Sequence, residues 1–410
     1  MIQTILFILF LSITLCGDTI LNITLIWSVL EQGGSITHLS IIITIMSLVP
    51  ILLQKYSFFL KTALKERPLL IFSLARILGI VFLLVFLIQF AGNTNVYGLY
   101  LIGGVFSVIL FLTNQSLEIY MSQMVLDGKI KSHKASHDLQ TAIQIGAFGG
   151  SAVSGVLLSI GGLPMISTVL MVTLAVGMMA PWLIPILSRS GQAEQNIQKE
   201  KTEAPQITYS DAVRKKVLNM TILAVVVLTV QLGAINFIVP ILFHDIFNWD
   251  SSRYGAIGAA MGLGAFLATL IRKWEHRIPM YLFILIGVID IIIGTVQVFA
   301  VSLICGFMLG FVFNRTRIMQ RSVMFDNLRS REETMKWSGR STFATQFTRS
   351  VVPLVLALPL SLMGQENTGV LLGTLGVTVT IILFVAIRLE NRLPLQGTEP
   401  IIAGDSKPSV

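Results

Sequence analysis

The sequence predicts an all-α integral membrane protein with twelve transmembrane helices in two six-helix halves. Three observations predict it. The first is composition. Hydrophobic residues make up 54% of the 410 and charged residues 12%, about half the ~25% charged share of a soluble domain. Mean hydropathy is +0.80. The second is spacing. A span needs about 20 mainly apolar residues. Twelve stretches fit: 4–30, 36–60, 69–91, 97–124, 137–162, 164–187, 217–244, 253–271, 279–297, 299–322, 337–362 and 367–389. The third is charge. Alternate loops collect Lys61, Lys65 and Arg67, then Lys129, Lys131 and Lys134, then Arg189, Lys199, Lys201, Arg214, Lys215 and Lys216. They go on to Arg272, Lys273 and Arg277, then Arg329, Arg331 and Lys336, while the loops between them hold only Arg253. By the positive-inside rule both termini are expected in the cytoplasm, on the inner face of a cytoplasmic membrane.

Taken in order, the first apolar run begins at residue 4 with no basic stretch before it. It therefore reads as a span and not as a removed signal. The fifth span opens on a polar start, Ser136 to Thr141, and then carries Gly146, Gly149, Gly150 and Gly155. Small residues at such spacing let helix backbones approach closely. The segment 189–216 is the only long polar one, and it divides the spans six and six. It reads as a flexible linker with a short amphipathic end. The expected domains are thus 1–188, a linker 189–216, a second half 217–392 and a tail 393–410. The eleventh span has its own polar start, Ser338 to Thr345, followed by Pro353 and Pro359, which bend membrane helices. The Pro- and Gly-containing tail is expected to be disordered.

Several functions are disfavoured. Cys16 and Cys305 fall inside apolar helices, where neither a disulfide framework nor a cysteine metal site is expected. His133 and His137 lack partner ligands. No phosphate-cradling Gly-rich loop is present, and no nucleophile with its base. The chain is read as neither an enzyme nor a metal or cofactor protein. Its net charge of +8 belongs to membrane loops and not to nucleic-acid binding.

The charges inside spans are the candidates for function. Arginine in hydrocarbon costs at least ~2.5–3.5 kcal/mol on insertion scales. Arg315 and Arg317 lie in the tenth span and Arg349 in the eleventh. Two readings are open: they line a polar pathway, or they snorkel to the surface and lock helices together. Asp18 lies about 14 residues into the first span, roughly 21 Å along its axis. It shares a helical face with Thr14 and Asn22. Asp18 is a candidate proton carrier or a hydrogen-bonded helix lock. Glu118, with Asn114 and Gln115 a turn away, is the second proton-coupling candidate, or an interfacial acid. Gln231 and Asn236 are uncharged substrate-contact candidates of the seventh span, or packing groups. Thr342, Thr345, Gln346 and Arg349 share one face. Asp290 is assigned to packing, and Arg76 is expected to snorkel.

Several stretches carry a family resemblance. These are LSITLCGDTILNITLIW in the first span, VPILFHDIFNWDSSRYGAIGAAMGLGAFLATLI across the seventh and eighth, and IMQRSV with SGRSTFATQFTRSVVP at the junction of the tenth and eleventh. With the 6+6 layout they resemble the bacterial exporter-like branch of the major facilitator superfamily. One departure is that KYSFFLKTALKERPL, between spans two and three, lacks the family's glycine and aspartate. The resemblance implies a monomer that works by alternating access, with spans 1, 4, 7 and 10 lining a cavity. On this reading the chain is a proton-coupled exporter, an antiporter of protons against a small polar, carboxylate-bearing metabolite such as a siderophore or metallophore. Asp18 or Glu118 would carry the proton and the arginines would hold carboxylates. Multidrug efflux and lysolipid flipping are the alternatives.

Overall fold

A computed structural model describes residues 2–56, 63–64, 66–90, 95–126, 132–179, 211–270, 281–327 and 331–396. Most of the linker, the tail and several basic loops lie outside them. So does the side chain of Glu118. The described residues form eleven long helices: α1 (Ile2–Glu31), α2 (Ile36–Tyr56), α3 (Pro68–Phe90), α4 (Val96–Leu126), α5 (Ser132–Met178), α6 (Asp211–Ile241), α7 (Ser251–Leu270), α8 (Tyr281–Thr295), α9 (Phe299–Asp326), α10 (Arg331–Met363) and α11 (Thr368–Gln396).

Helix α5 contains two spans. Its backbone breaks at Gly162, where φ is 57°, and Pro164 follows. That backbone geometry suits a residue without a Cβ. Contacts with α1 show that the chain reverses there. Gly146 meets Ser12 and Cys16, and Gly150 meets Cys16 to Ile20, so the first arm, 132–161, rises with α1. Thr173 meets Gly17 and Gly177 meets Thr14, so the second arm, 163–178, descends. With α5 counted twice, the described residues form twelve long helical segments. Nine helices among the described residues are long and apolar enough to cross a bilayer on those criteria alone. The shorter α8 and the Gly/Ala-rich α7 fall outside that count.

Helix starts follow local chemistry. The Asn95 side chain accepts from the backbone N–H of Gly98, at 2.9 Å, opening α4. Asp250 does the same for Arg253 at 3.3 Å, opening α7. Both satisfy donors that a helix start leaves unpaired. Helix α6 begins at Asp211, six residues ahead of the predicted span. Arg214 explains the extra turn. Its buried guanidinium grips both carboxylate oxygens of Glu333 on α10, at 2.5 and 2.8 Å, and the Asn327 carbonyl at 3.0 Å. Leu218, Met324 and Trp337 cluster beside it.

Large apolar side chains are exposed in stripes along the outer helices, such as Leu70, Leu74, Ile77, Val81, Leu84 and Ile88 on α3. Contiguous exposed apolar surface of this kind is a lipid face. The halves meet along two seams, the first arm of α5 with α7 and α2 with α10. In the first seam a Cβ on Gly255 would lie 2.6 Å from the Gly155 Cα, so the backbones touch. In the second, Thr44 donates to the Ser350 carbonyl at 3.1 Å.

Candidate functional site

The seams leave the helices between them, α1, α4, α6 and α9, to face the middle of the molecule. One end of that middle is closed. Trp27 of α1 stacks on Tyr254 of α7 with ring centroids 5.2 Å apart, and meets His244, beyond α6, edge-on at 5.3 Å. At the start of α7, Ser251 donates to the Gly155 carbonyl at 3.4 Å.

Away from this closed end, the four central helices include the exposed polar residues Asn22, Asn114, Asn236 and Arg317. Asn22 is exposed between buried Leu21 and Ile23. Asn236 is exposed between buried Ile235 and Phe237. Asn114 is exposed next to buried Thr113, and Arg317 next to buried Thr316. Helix rise places Asn22 about 7 Å below Trp27, and Asn236 about 12 Å below His244. Asn114 and Arg317 each lie 18 residues into their helices, α4 and α9, so about 27 Å deep by helix rise. Hydrocarbon cannot satisfy Asn22 and Asn236 at their depths, while Asn114 and Arg317 lie towards the opposite face of a core about 30 Å thick. These exposed polar residues mark a candidate polar pathway between the halves, on the side away from Trp27.

Helix α10 adds to it. Phe343, Phe347, Leu354 and Leu358 are exposed along one stripe. Arg349 lies two residues beyond Phe347, about 200° around the axis and so on the inward side. It is half-buried, as are Thr345 and Gln346. Val352, on the same inward side, seats against Gly233 of α6. Gln115 is half-buried beside Asn114.

Three residues fall elsewhere than the sequence reading puts them. Arg315 is 3% exposed, and the exposed arginine of α9 is Arg317. Residues two positions apart on a helix, as Arg315 and Arg317 are, stand about 200° apart around the axis and so face opposite ways. Gln231 is fully buried and donates its amide N–H to the carboxyl of Asp290 on α8. It does not face the pathway in this arrangement. Arg76 does not snorkel. It is 1% exposed, stacks over Phe72 at 5.2 Å and pairs with Asp18 at 3.6 Å. The three residues sharing a face on α1 also divide: Thr14 is buried and bonds its own helix at the Phe10 carbonyl, Asp18 turns to Arg76, and Asn22 is exposed.

Asp18 and Arg76 line a small cavity inside the first half, with Gly17, Phe106, Ile109 and Leu170 around them. The Arg76 Nε and Nη2 atoms have no hydrogen-bond partner there. Across the halves, Gln144 donates to Asn314 at 3.3 Å, and Asn314 donates to the Ala265 carbonyl at 2.6 Å. Gln144 and Asn314 were not among the sequence candidates. Among the described residues no cluster of three or more His, Cys, Asp or Glu could hold a metal.

Two pseudo-repeated six-helix halves around a candidate polar pathway define a membrane transporter architecture. The model of the Major Facilitator Superfamily matches residues 6–357, and the chain belongs to that family. The fold is similar to the crystal structure of the nucleoside transporter NupG, with TM-score 0.64 and 11% identity, covering 95% of this chain and 100% of that one. It is also similar to a bacterial homologue of the human lysosomal transporter Spinster, inward-facing and unoccupied. There the TM-score is 0.59 and the identity 11%, over 96% of this chain and 97% of the other. No curated protein matches the chain in sequence.

Proposed function

We propose that this multi-pass transporter is a proton-coupled exporter of a small, polar, carboxylate-bearing metabolite, of the siderophore or metallophore kind. It works in the inner membrane as a monomer with both termini in the cytoplasm. The observation that carries the reading is the lining of this pathway. Arg317 and Arg349 bring positive charge to a space whose other named contacts, Asn22, Asn114, Asn236 and Gln346, are uncharged hydrogen-bonding groups. Guanidinium groups favour carboxylates through paired, charge-assisted hydrogen bonds. Asn and Gln amides suit hydroxyl and amide groups on the same cargo.

Asp18 supplies the coupling. It stands one helical turn from Asn22 and is held by Arg76. When Asp18 takes a proton its attraction to Arg76 weakens, and α1 is released from α3. Loading and release of that proton then follow the side to which the cavity opens.

The test compares metabolites inside and outside cells with and without the protein, grown in metal-poor medium. The expected result is a carboxylate-rich chelator lost from the medium and accumulated in the cells lacking the protein. Arg317→Ala and Arg349→Ala should reproduce that loss and leave the efflux of cationic dyes unchanged. An unchanged metabolite profile, or equal loss of dye efflux, overturns the substrate class.

A further inference from the structure

We propose that Asp290 and Gln231 form a second proton-binding site, in the second half and apart from Asp18. The idea extends the proton-coupled reading and does not depend on the identity of the cargo.

Asp290 sits in the middle of α8, a helix that contributes nothing else named to the cavity. Its side chain is 0% exposed, as is that of Gln231 on α6. The space for the carboxyl comes from Gly376 on α11, because a Cβ there would collide with it. No Lys, Arg or His pairs with Asp290 among the described residues. From α6 it faces the Gln231 amide, and from α11 the Gly376 backbone. On α9, which packs against α8, Cys305 is buried. The surroundings thus provide one amide and no compensating cation.

The hydrogen-bond inventory is incomplete in a specific way. Gln231 donates to one carboxyl oxygen. The other carboxyl oxygen, Oδ1, and the Gln231 Oε1 are both buried acceptors without a donor. A proton on the carboxyl makes it a donor as well as an acceptor. Gln231 can answer either state by turning its amide half a revolution. It presents its N–H to a carboxylate and its carbonyl oxygen to a carboxylic acid. Few side chains can bond both forms from one position, and Gln is one of them. A sodium ion fits less well. It needs several converging oxygen ligands, and only these two acceptors are unsatisfied here.

The location links this proton to the transport cycle. Gln231 and Asn236 share α6, five residues and about 7.5 Å apart. Asn236 is exposed and Gln231 faces α8. In the present packing Asp290 is cut off from water. The proton can therefore enter or leave only when α6 shifts relative to α8, which is a movement that cargo at Asn236 can drive. Gain and loss of the proton then alternate with the two positions of α6, with cavity water as its source and sink.

Infrared difference spectroscopy of the purified protein in membranes tests this without any cargo. The carbonyl stretch of a protonated, water-shielded carboxyl should disappear on raising the pH and return on lowering it. Asp290→Asn should abolish that band, and Asp18→Asn should leave it in place. Gln231→Leu should keep the band but shift its frequency, because the hydrogen-bond partner is gone. This variant serves as a second reading if Asp290→Asn inserts poorly. A band that survives both Asp290→Asn and Gln231→Leu unchanged overturns the proposal. So does one that never responds to pH, or one that responds to sodium at constant pH. Failure of the metabolite experiment with the band behaving as described would remove only the substrate class.

Discussion

Substituting Gly255 by alanine should open the end of the transporter that the structure shows closed. A Cβ at this position would lie 2.6 Å from the Gly155 Cα and 2.7 Å from the Ser151 carbonyl oxygen. Ordinary carbon contacts begin near 3.5 Å, so the seam must part by about 1 Å. Both obstacles are backbone and cannot rotate away. Overpacking of this kind costs about 1–3 kcal/mol. The cost falls only on the state in which α5 and α7 touch. Alternating access requires another state in which they separate, and alanine is free of strain there. The equilibrium should therefore move toward the parted state by about 5- to 150-fold. Gly155→Ala should act in the same direction, and the pair together should be less than additive because the two sites share one contact. Spin labels at Ser159 and Arg253, both exposed beside the seam, would read the separation by pulsed electron resonance. The wild-type distribution should be dominated by a short distance and the Gly255→Ala distribution by a longer one. A protein that is destabilised with its distance distribution unchanged would refute the reasoning, because the seam would then be a static contact.

Two further perturbations follow from the buried charges. Removing Arg76 as Arg76→Ala leaves Asp18 without its partner and should destabilise the protein by about 3–5 kcal/mol in a denaturation assay. Adding Asp18→Ala should recover part of that loss, and a full sum of the two single effects would contradict the pairing. At the opposite end from Trp27, Arg214→Ala and Glu333→Ala should each cost about 1.5–3 kcal/mol as charge-assisted hydrogen bonds are lost. The double variant should be little worse than either, as read by thermal unfolding in detergent.

The architecture was legible in the sequence because a bilayer imposes a crude and repeated rule. The twelve predicted spans match the helices to within a few residues at most ends, and the glycines and proline around 161–164 mark the reversal inside α5. The glycines of the fifth span were also legible as close-approach positions. Their partners were not, since Gly146 and Gly150 serve α1 while Gly155 serves α7. The candidate site was legible at the level of residue type. Asn22, Asn114, Asn236 and Arg349 were picked because polar groups in hydrocarbon demand a reason. The choice between Arg315 and Arg317 was out of reach, because hydropathy does not say which way a helix is turned. The pairings of Arg76 with Asp18 and of Gln231 with Asp290 join distant segments, and no local pattern announces them. The predicted role of Glu118 concerns a side chain outside the described residues.

The central claim is that four helices turn one polar residue each into a single aqueous cavity. Single cysteines at Asn22, Asn114, Asn236 and Arg317, with Cys16 and Cys305 replaced by serine, test it directly. Each variant is exposed to a small charged thiol reagent in sealed vesicles of known orientation, with cysteines at the lipid-facing Leu74 and Leu358 as controls. The account predicts that all four react, from the same side of the membrane, and that the two controls do not. Reaction of the four only with a membrane-soluble reagent, or from opposite sides in the resting protein, would contradict it.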